Sequence, residues 1–301
     1  MIIKSEEELK DWIMAGKLTA KIRDYAKKLI QEDASYLKVT ELIEQKIKEL
    51  NAKPAFPPQL SINEIAAHQC ADPDEDYIFK DGDIVKIDVG VMVNGAIGDS
   101  AYTVVVGGGH DNLLKASREA LSKAISIIKP GIRISEIGRV IEATIKSYGF
   151  QPIKNLSGHG LGKYSIHEPP SIPNYDNNSN TILKENQVIA IEPFATNGIG
   201  IVQETGQANI FAQISNKPVR SPYAREILRE ISKFNGLPFT TRWLTRSMSI
   251  FKVKMGLREL LNNGIITQYP PLREKAKGLV SQYEHSLLVK DTPIVLTESK
   301  N

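Results

Sequence analysis

The spacing of apolar residues divides the chain into two similar runs, each with helices followed by strands. Helical spacing predicts helices over residues 5–32, 38–51, 112–128 and 135–148. Alternating or continuous apolar runs predict strands from about Leu60 to Val106, and again at about 153–158, 187–194, 199–205, 283–290 and 294–297. Sequential strands with helices on one face predict an α+β architecture built from two similar halves.

The clearest local signal is a hairpin. Residues 84–93 and 96–106 are rich in β-branched residues, and Asn94-Gly95 joins them as a two-residue turn. With these two residues at the centre of the turn, the register is fixed. It pairs Val93 with Ala96, Gly90 with Asp99, and Asp88 with Ala101.

This register makes Asp88 and Asp99 diagonal neighbours on one face of the hairpin, roughly 5 to 8 Å apart. A bulge at Gly98 would reverse the parity. Two carboxylates at that distance on a largely apolar hairpin repel each other and lose hydration, so they need a compensating cation. The alternative is a solvent-facing pair of aspartates on an edge hairpin.

Three more residues extend this reasoning. His159 lies in S-G-H-G-L-G, Glu192 ends the apolar run V-I-A-I-E, and Glu284 begins the run E-H-S-L-L-V. A single histidine or glutamate of this kind is usually a structural residue. Several carboxylates at the ends of apolar strands are costly to bury separately, however, so together they predict a metal site and a hydrolase.

Seven segments, in order, resemble a known family: 55–68 (A-F-P-P-Q-L-S-I-N-E-I-A-A-H), 86–99 (K-I-D-V-G-V-M-V-N-G-A-I-G-D), 155–162 (N-L-S-G-H-G-L-G), 166–168 (I-H-E), 190–194 (A-I-E-P-F), 269–272 (Y-P-P-L) and 282–289 (Q-Y-E-H-S-L-L-V). The chain resembles the type 2 methionine aminopeptidases, and more closely their archaeal branch, over nearly its whole length. The resemblance implies a pita-bread fold, in which a pseudo-symmetric antiparallel sheet of two halves carries outer helices. One local departure is the pair Gln69-Cys70 after His68, which leaves fine specificity open.

The resemblance also implies two divalent metal ions. Asp88 would be a terminal ligand of one ion, Asp99 and Glu284 would bridge both, and His159 and Glu192 would complete the other. Such a set suits Co, Mn or Fe at least as well as Zn. A hydroxide held by the ions would attack the first peptide carbonyl, with Glu192 as general base. The implied activity removes the N-terminal methionine of nascent polypeptides and peptides whose second residue is small.

Other site residues follow from the same resemblance. His68 and His167 would contact the substrate and take part in catalysis, although His167 could instead cap a loop. The methionine side chain would lie against apolar residues of the matching segments: Phe56, Pro57, Ile65 and Tyr269. Core packing is the alternative explanation for the first three. His110 and His285 match no catalytic role and are interpreted as a surface residue and a structural residue.

A segment of different character separates the last strands from the rest. Residues 221–235 and 248–263 have helical spacing, so we expect a catalytic domain of residues 1–215 and 270–301 and a winged-helix-like helical insertion of residues 216–269. Residues 217–258 contain ten Lys or Arg and two acids. Ordinary solvated helix faces are the favoured explanation of this charge, and transient contact with the ribosome is the alternative.

Composition limits the setting in which the chain works. At 301 residues and 41% hydrophobic, without an apolar run that could cross a bilayer, it is expected to be a water-soluble monomer with no membrane partner. The single cysteine, Cys70, fits a reducing cytoplasm. A net charge of +3 is too small to indicate a nucleic-acid partner. Because Ile2 is bulky, the chain should keep its own Met1.

Two other functions remain open at this stage. One is an Xaa-Pro peptidase of the same fold, which usually carries a large additional N-terminal domain. The other is a non-catalytic pita-bread protein that only binds a partner. Such a protein would be expected to lose metal ligands, whereas all five are present here.

Overall fold

The computed structural model describes residues 1–299. Helices form where apolar residues recur at helical spacing behind a polar N-cap, as at Ser5, whose side chain accepts a hydrogen bond from the backbone N–H of Glu8. The helices are α1 (Glu6–Leu29), α2 (Tyr36–Glu49), α3 (Asp111–Ile127), α4 (Ile134–Ser147), α5 (Pro222–Ile231), α6 (Thr241–Thr245) and α7 (Ile250–Asn262). The sequence predicted all of them except the short α6.

Within residues 1–299, the strands form five antiparallel sheets. In chain order they are β1 (Lys53–Pro54), β2 (Gln59–Ile62), β3 (Ile65–Ala67), β4 (Ile84–Val93), β5 (Ala96–Val105), β6 (Gln151–Pro152), β7 (Ser157–Gly162), β8 (Ser165–Pro173), β9 (Val188–Ile191), β10 (Phe194–Thr196), β11 (Val202–Glu204), β12 (Ile210–Gln213), β13 (Phe239–Thr240), β14 (Ile266–Tyr269), β15 (Leu272–Glu274), β16 (Val280–Gln282), β17 (His285–Leu288) and β18 (Ile294–Val295).

The first half is built around the β4–β5 hairpin. Its register is the predicted one: Gly90 pairs with Asp99 and Asp88 with Ala101, and the ladder continues past Gly98 without a bulge. Helix α1 packs directly on this hairpin. A Cβ atom at Gly98 would lie 2.5 Å from Thr19 Oγ1, so the close approach requires glycine.

The second half repeats the plan with α3 and α4 and a sheet in the order β18-β17-β9-β7-β8. The two halves meet where β5 packs against β17. There Ser100 Oγ donates to the carbonyl of Glu284 and Ser286 Oγ donates to the carbonyl of Asp99, each at 2.8 Å. The predicted α+β architecture of two similar halves is therefore confirmed.

The segment between β12 and β14 has its own small core. Strands β13, β12 and β14 form one sheet, and helices α5 and α7 pack on it through buried residues such as Ile227, Leu257 and Ile266. Strand β12 begins at Ile210, six residues before the predicted start of the insertion at 216. Within residues 1–299, no helix is both long and apolar enough to span a bilayer.

Candidate metal centre and substrate cavity

Side chains from both halves converge where the sheets meet. Asp88 and Asp99 project from the β4–β5 hairpin, and His159 projects from β7. Glu192 follows the last residue of β9, and Glu284 precedes the first residue of β17. All five line one cavity of about 520 Å³.

Short distances connect the members of this group. His159 Nε2 lies 3.8 Å from Asp99 Oδ2 and 3.7 Å from Glu192 Oε1. One ligand atom each of Asp99, His159 and Glu284 lies within 4.8 Å of the other two, and all three side chains are buried. These atoms are near enough to bind one divalent ion together.

The group fits metal ions because no lysine or arginine of residues 1–299 balances its carboxylates. Among residues 1–299, none of the four carboxylates forms a salt bridge with a lysine or arginine, and the buried Oδ1 atom of Asp88 has no hydrogen-bond donor. Carboxylate oxygens with one imidazole are ligands suited to Mn, Fe, Co or Zn. Bound cations would therefore balance the charge of the buried carboxylates.

Burial shifts the pKa of every member of the group toward its neutral form. It raises the pKa of Asp88 to about 7. The pKa of Asp99 is raised well above its usual range by burial and by the charge of Asp88, and those of Glu192 and Glu284 are raised likewise. Burial lowers the pKa of His159 to about 3, so its imidazole is neutral and able to bind a metal.

Two further histidines lie at the same cavity. The rings of His167 and His159 are 4.7 Å apart, and burial lowers the pKa of His167. The ring of His68 lies 5.6 Å from that of Tyr269, and burial lowers the pKa of His68 to about 4. Both imidazoles are neutral at pH 7, so each offers one hydrogen-bond donor and one acceptor to a ligand.

Apolar residues form the remaining wall of the cavity. Of the four residues expected around a methionine side chain, Phe56 and Tyr269 line the cavity, whereas Pro57 and Ile65 do not. Ile65 lies in β3 and pairs with Arg273 of β15. Ala67, two residues later in the same strand, does line the cavity.

Two residues that line the cavity and one that contacts a candidate ligand were not predicted from the sequence. Ile210 and Pro238 reach the cavity from the insertion side, and no local pattern marks them. Gln282 donates from Nε2 to Glu192 Oε2 at 3.2 Å. A signal for Gln282 existed, because it lies two residues before Glu284 and alternation along an extended segment puts both side chains on one side.

The two histidines without a catalytic role lie outside this cavity. The ring Nδ1 atom of His285 lies 2.8 Å from Thr297 Oγ1, a contact that links β17 to the segment after β18. His110 is exposed and precedes α3. Neither lines the cavity that holds the five candidate ligands.

Comparison with known proteins gives a consistent result. Residues 13–220 match metallopeptidase family M24. The chain is 46% identical over 289 residues to the methionine aminopeptidase of Pyrococcus abyssi, an alignment that covers 95% of this chain and 98% of that protein. It is 44% identical over 286 residues to the methionine aminopeptidase of Archaeoglobus fulgidus, covering 95% and 96%.

Solved structures agree on the fold. The methionine aminopeptidase of Thermotoga maritima is similar with a TM-score of 0.71 and 27% identity, over 99% of this chain and 100% of that one. The prolidase of Pyrococcus furiosus shares the fold with a TM-score of 0.65 and 23% identity, and the match covers 66% of its length.

Proposed function

We propose that this chain, which belongs to metallopeptidase family M24 and is related throughout its length to methionine aminopeptidases, removes the N-terminal methionine of peptides and nascent polypeptides whose second residue is small. One observation carries the proposal. Four carboxylates and an imidazole lie together in a cavity, and no lysine or arginine of residues 1–299 pairs with them. An Xaa-Pro peptidase is less favoured, because the methionine aminopeptidases match at 44 to 46% identity over 96 to 98% of their own length, whereas the prolidase matches at 23% identity over 66% of its length.

Two divalent ions would be held by the five side chains. Asp88 would bind one ion and Asp99 and Glu284 would bridge both, while His159 and Glu192 would complete the second. When bound, the ions supply Lewis acidity toward the peptide carbonyl and lower the pKa of a coordinated water. The mixed oxygen and imidazole donors support Mn, Fe, Co or Zn and do not select among them.

Glu192 is the residue we propose to move the proton. Its carboxylate would accept a proton from the attacking water and return it to the leaving amine. Gln282, which donates to Glu192 Oε2 at 3.2 Å, would hold the carboxylate in one orientation while Oε1 faces the site. The neutral imidazoles of His68 and His167 would donate hydrogen bonds to the scissile amide and to its carbonyl oxygen.

The apolar wall would select the methionine side chain. Phe56 and Tyr269 offer aromatic surfaces, against which an unbranched thioether packs favourably. Pro238 of the insertion and Ile210, at the start of the adjoining strand β12, extend this wall. The α-amine of the substrate would be held among the carboxylates, so the pocket would admit only the first residue of a chain. Cleavage would therefore be that of an exopeptidase.

A peptide panel tests the proposed activity. We expect the protein loaded in turn with Mn, Fe, Co and Zn to release methionine from Met-Ala and Met-Gly peptides, to act weakly on Met-Leu peptides, and to lose activity with a chelator. Free methionine is measured by mass spectrometry. A fully metallated sample that is inert on all Met-peptides but cleaves Xaa-Pro dipeptides would overturn the assignment.

We further infer that any contact with the ribosome involves the insertion, which we treat as a subdomain of residues 216–269. Among the carboxylates of residues 1–299, none lies within salt-bridge distance of six of its cations: Lys217, Arg220, Arg225, Arg229, Lys254 and Arg258. Ordinary solvated faces are the alternative. Co-sedimentation with ribosomes should weaken as salt rises, and no binding at low salt would end the idea.

The proposed setting is a monomer in the cytoplasm. For the cytoplasm the support is Cys70, which is free and buried as expected in a reducing compartment. Sedimentation equilibrium at micromolar concentration should give the mass of one chain.

A further inference from the structure

A buried ionic contact joins α2 to the insertion. The carboxylate of Glu44 accepts hydrogen bonds from both terminal nitrogens of Arg242, one of them at 2.9 Å, and from Trp243 Nε1 at 2.7 Å and Arg246 Nη2 at 2.5 Å. The side chains of Glu44 and Arg242 are only 9% and 4% exposed. Burial alone would raise the pKa of Glu44, but the bonds from Arg242 and Trp243 outweigh it and hold the pKa below its usual value.

Such a contact is a poor means of gaining stability, because removing two charges from water costs about as much as their attraction returns. The main effect of the contact is on the geometry of the two helices. Four hydrogen bonds from three residues, two in α6 and one directly after it, fix the position of that short helix against α2.

The segment that follows His68 is held between α2 and the insertion side. On one side, Tyr36 Oη of α2 donates to the carbonyl of Gln69 at 3.0 Å. On the other side, Asn209 Nδ2 donates to the carbonyl of Cys70 at 2.6 Å and to Asp72 Oδ1 at 3.1 Å. Gln69 and Cys70, the pair that departs from the family pattern, are therefore the residues that these elements hold.

His68 itself depends on this support. Its φ angle is 64°, in the left-handed region that costs a non-glycine residue roughly 1 kcal/mol or more. Gln59 Oε1 accepts the His68 backbone N–H at 2.7 Å, and Pro270 O lies 3.3 Å from its ring Nδ1. A strained residue keeps such a conformation only while its surroundings hold it.

The walls of the cavity are divided between the same parts. Phe56 and His68 belong to the body, whereas Pro238 lies just before β13, four residues from Arg242, and Tyr269 ends β14. The distance between these walls depends on how the insertion is seated on α2.

We propose that Glu44 is a positioning residue for substrate selection: through Arg242 and Trp243 it fixes the insertion, and so sets the separation between Tyr269 and Pro238 on one side and His68 and Phe56 on the other. This inference rests on the proposed function. The five candidate metal ligands lie in or directly beside β4, β5, β7, β9 and β17, which are outside the insertion, so side-chain selection depends on Glu44 more than the chemical step does.

Glu44→Gln tests the idea, because it keeps the shape and removes the charge. We expect KM for a Met-Ala peptide to rise roughly 10-fold with kcat changed less than about 2-fold, and the preference for methionine over leucine at the first position to fall by a similar factor. Metal affinity and stoichiometry, measured by calorimetry, should stay unchanged. Glu49→Gln is the matched control on the same helix, since Glu49 is exposed and pairs only with its neighbours on α2, and it should leave KM unchanged.

Three results would overturn the positioning role. The first is a folded Glu44→Gln protein with unaltered KM and unaltered preference for methionine. The second is a parallel loss of kcat and metal affinity, which indicates general damage. If Glu44→Gln does not fold, Trp243→Phe is the second variant, because it removes one donor and keeps an aromatic ring. It should raise KM by less than Glu44→Gln and leave kcat nearly unchanged. Unaltered KM in Trp243→Phe is the third result. A wild-type protein inert on Met-peptides would instead remove the proposed function, and the inference with it.

Discussion

Four carboxylates around a single neutral imidazole are an unfavourable arrangement for a protein that must fold in water. Each of Asp88, Asp99, Glu192 and Glu284 has its pKa raised by burial, so part of the group is protonated when no cation is bound. Structural residues rarely accept this cost. At the scale of the residue, the unfavourable free energy of burying these four carboxylates together therefore indicates a metal-binding site.

Glu192 offers the most direct test of an individual role. Glu192→Gln keeps the size of the side chain but removes its basicity and weakens it as a ligand, so kcat on Met-Ala peptides should fall by about 10² to 10⁴. Glu185→Gln, at a carboxylate that is 61% exposed and paired with Lys290, is the control and should be fully active. Near-normal turnover of Glu192→Gln would remove the role assigned to this carboxylate.

At the scale of the element, the β4–β5 hairpin places two candidate ligands by geometry alone. A two-residue turn fixes parity along both strands, and parity decides which side chains share a face. The two glycines of this hairpin are needed for different reasons. A Cβ atom at Gly90 would lie 2.3 Å from the ring of Phe56, whereas one at Gly98 would lie 2.7 Å from the backbone carbonyl oxygen of Ala15.

The same substitution at these two glycines should therefore have different effects. Gly98→Ala pushes on the backbone of α1, which cannot yield locally, and should lower the free energy of unfolding by about 2 kcal/mol. Gly90→Ala pushes on the Phe56 ring, which can turn into the cavity, and should mainly raise KM. Urea unfolding and steady-state kinetics on both variants give the comparison, and equal loss of stability in the two would contradict it.

The sequence predicts features that are set by neighbouring residues better than features that are set by contacts between distant segments. The hairpin register followed from Asn94-Gly95 and alternation, and the helices followed from spacing and caps. The convergence of His159, Glu192 and Glu284 on that hairpin depends on contacts between distant segments. The cost of burying separate carboxylates suggested a shared site, and the family resemblance assigned a role to each residue. The cavity wall illustrates the limit, because Ile65 was expected there and Ile210 and Pro238 were not. The places of Ile210 and Pro238 depend on how the insertion packs against the rest of the molecule.

At the scale of the whole molecule, the candidate ligands divide between the halves. Asp88 and Asp99 come from the first half, and His159, Glu192 and Glu284 come from the second. Ions bound between them would connect the two halves and favour the folded state, because an unfolded chain does not present the ligands together. Metal binding and folding stability should therefore be coupled.

The sign of the pH dependence follows from the raised pKa values. Carboxylates with raised pKa values keep protons in the folded state that the unfolded chain releases above about pH 4. Stability of the metal-free protein is thus lost as pH rises through the folded pKa, which is about 7 for Asp88 and well above the usual range for the other three. Metal ions displace these protons, so metal affinity should rise with pH by roughly 1.4 kcal/mol per unit for each proton displaced.

Calorimetric unfolding at pH 6, 7 and 8 checks this expectation. The increase in Tm caused by a fixed concentration of Mn should grow from pH 6 to pH 8, and a sample with excess chelator supplies the baseline. An increase that is constant or smaller at pH 8 would show that the four carboxylates are already ionised without metal.

The scattering of these five side chains along the chain also has a consequence for the order of events during synthesis. A ribosome makes the hairpin aspartates first, then His159 and Glu192, and Glu284 some ninety residues later. Every shorter chain lacks one of the three residues whose ligand atoms lie within 4.8 Å of one another. The protein therefore spends most of its own synthesis without the complete group, and with Glu284 as a proposed ligand we expect peptidase activity only after residue 284 has been added and has reached β5.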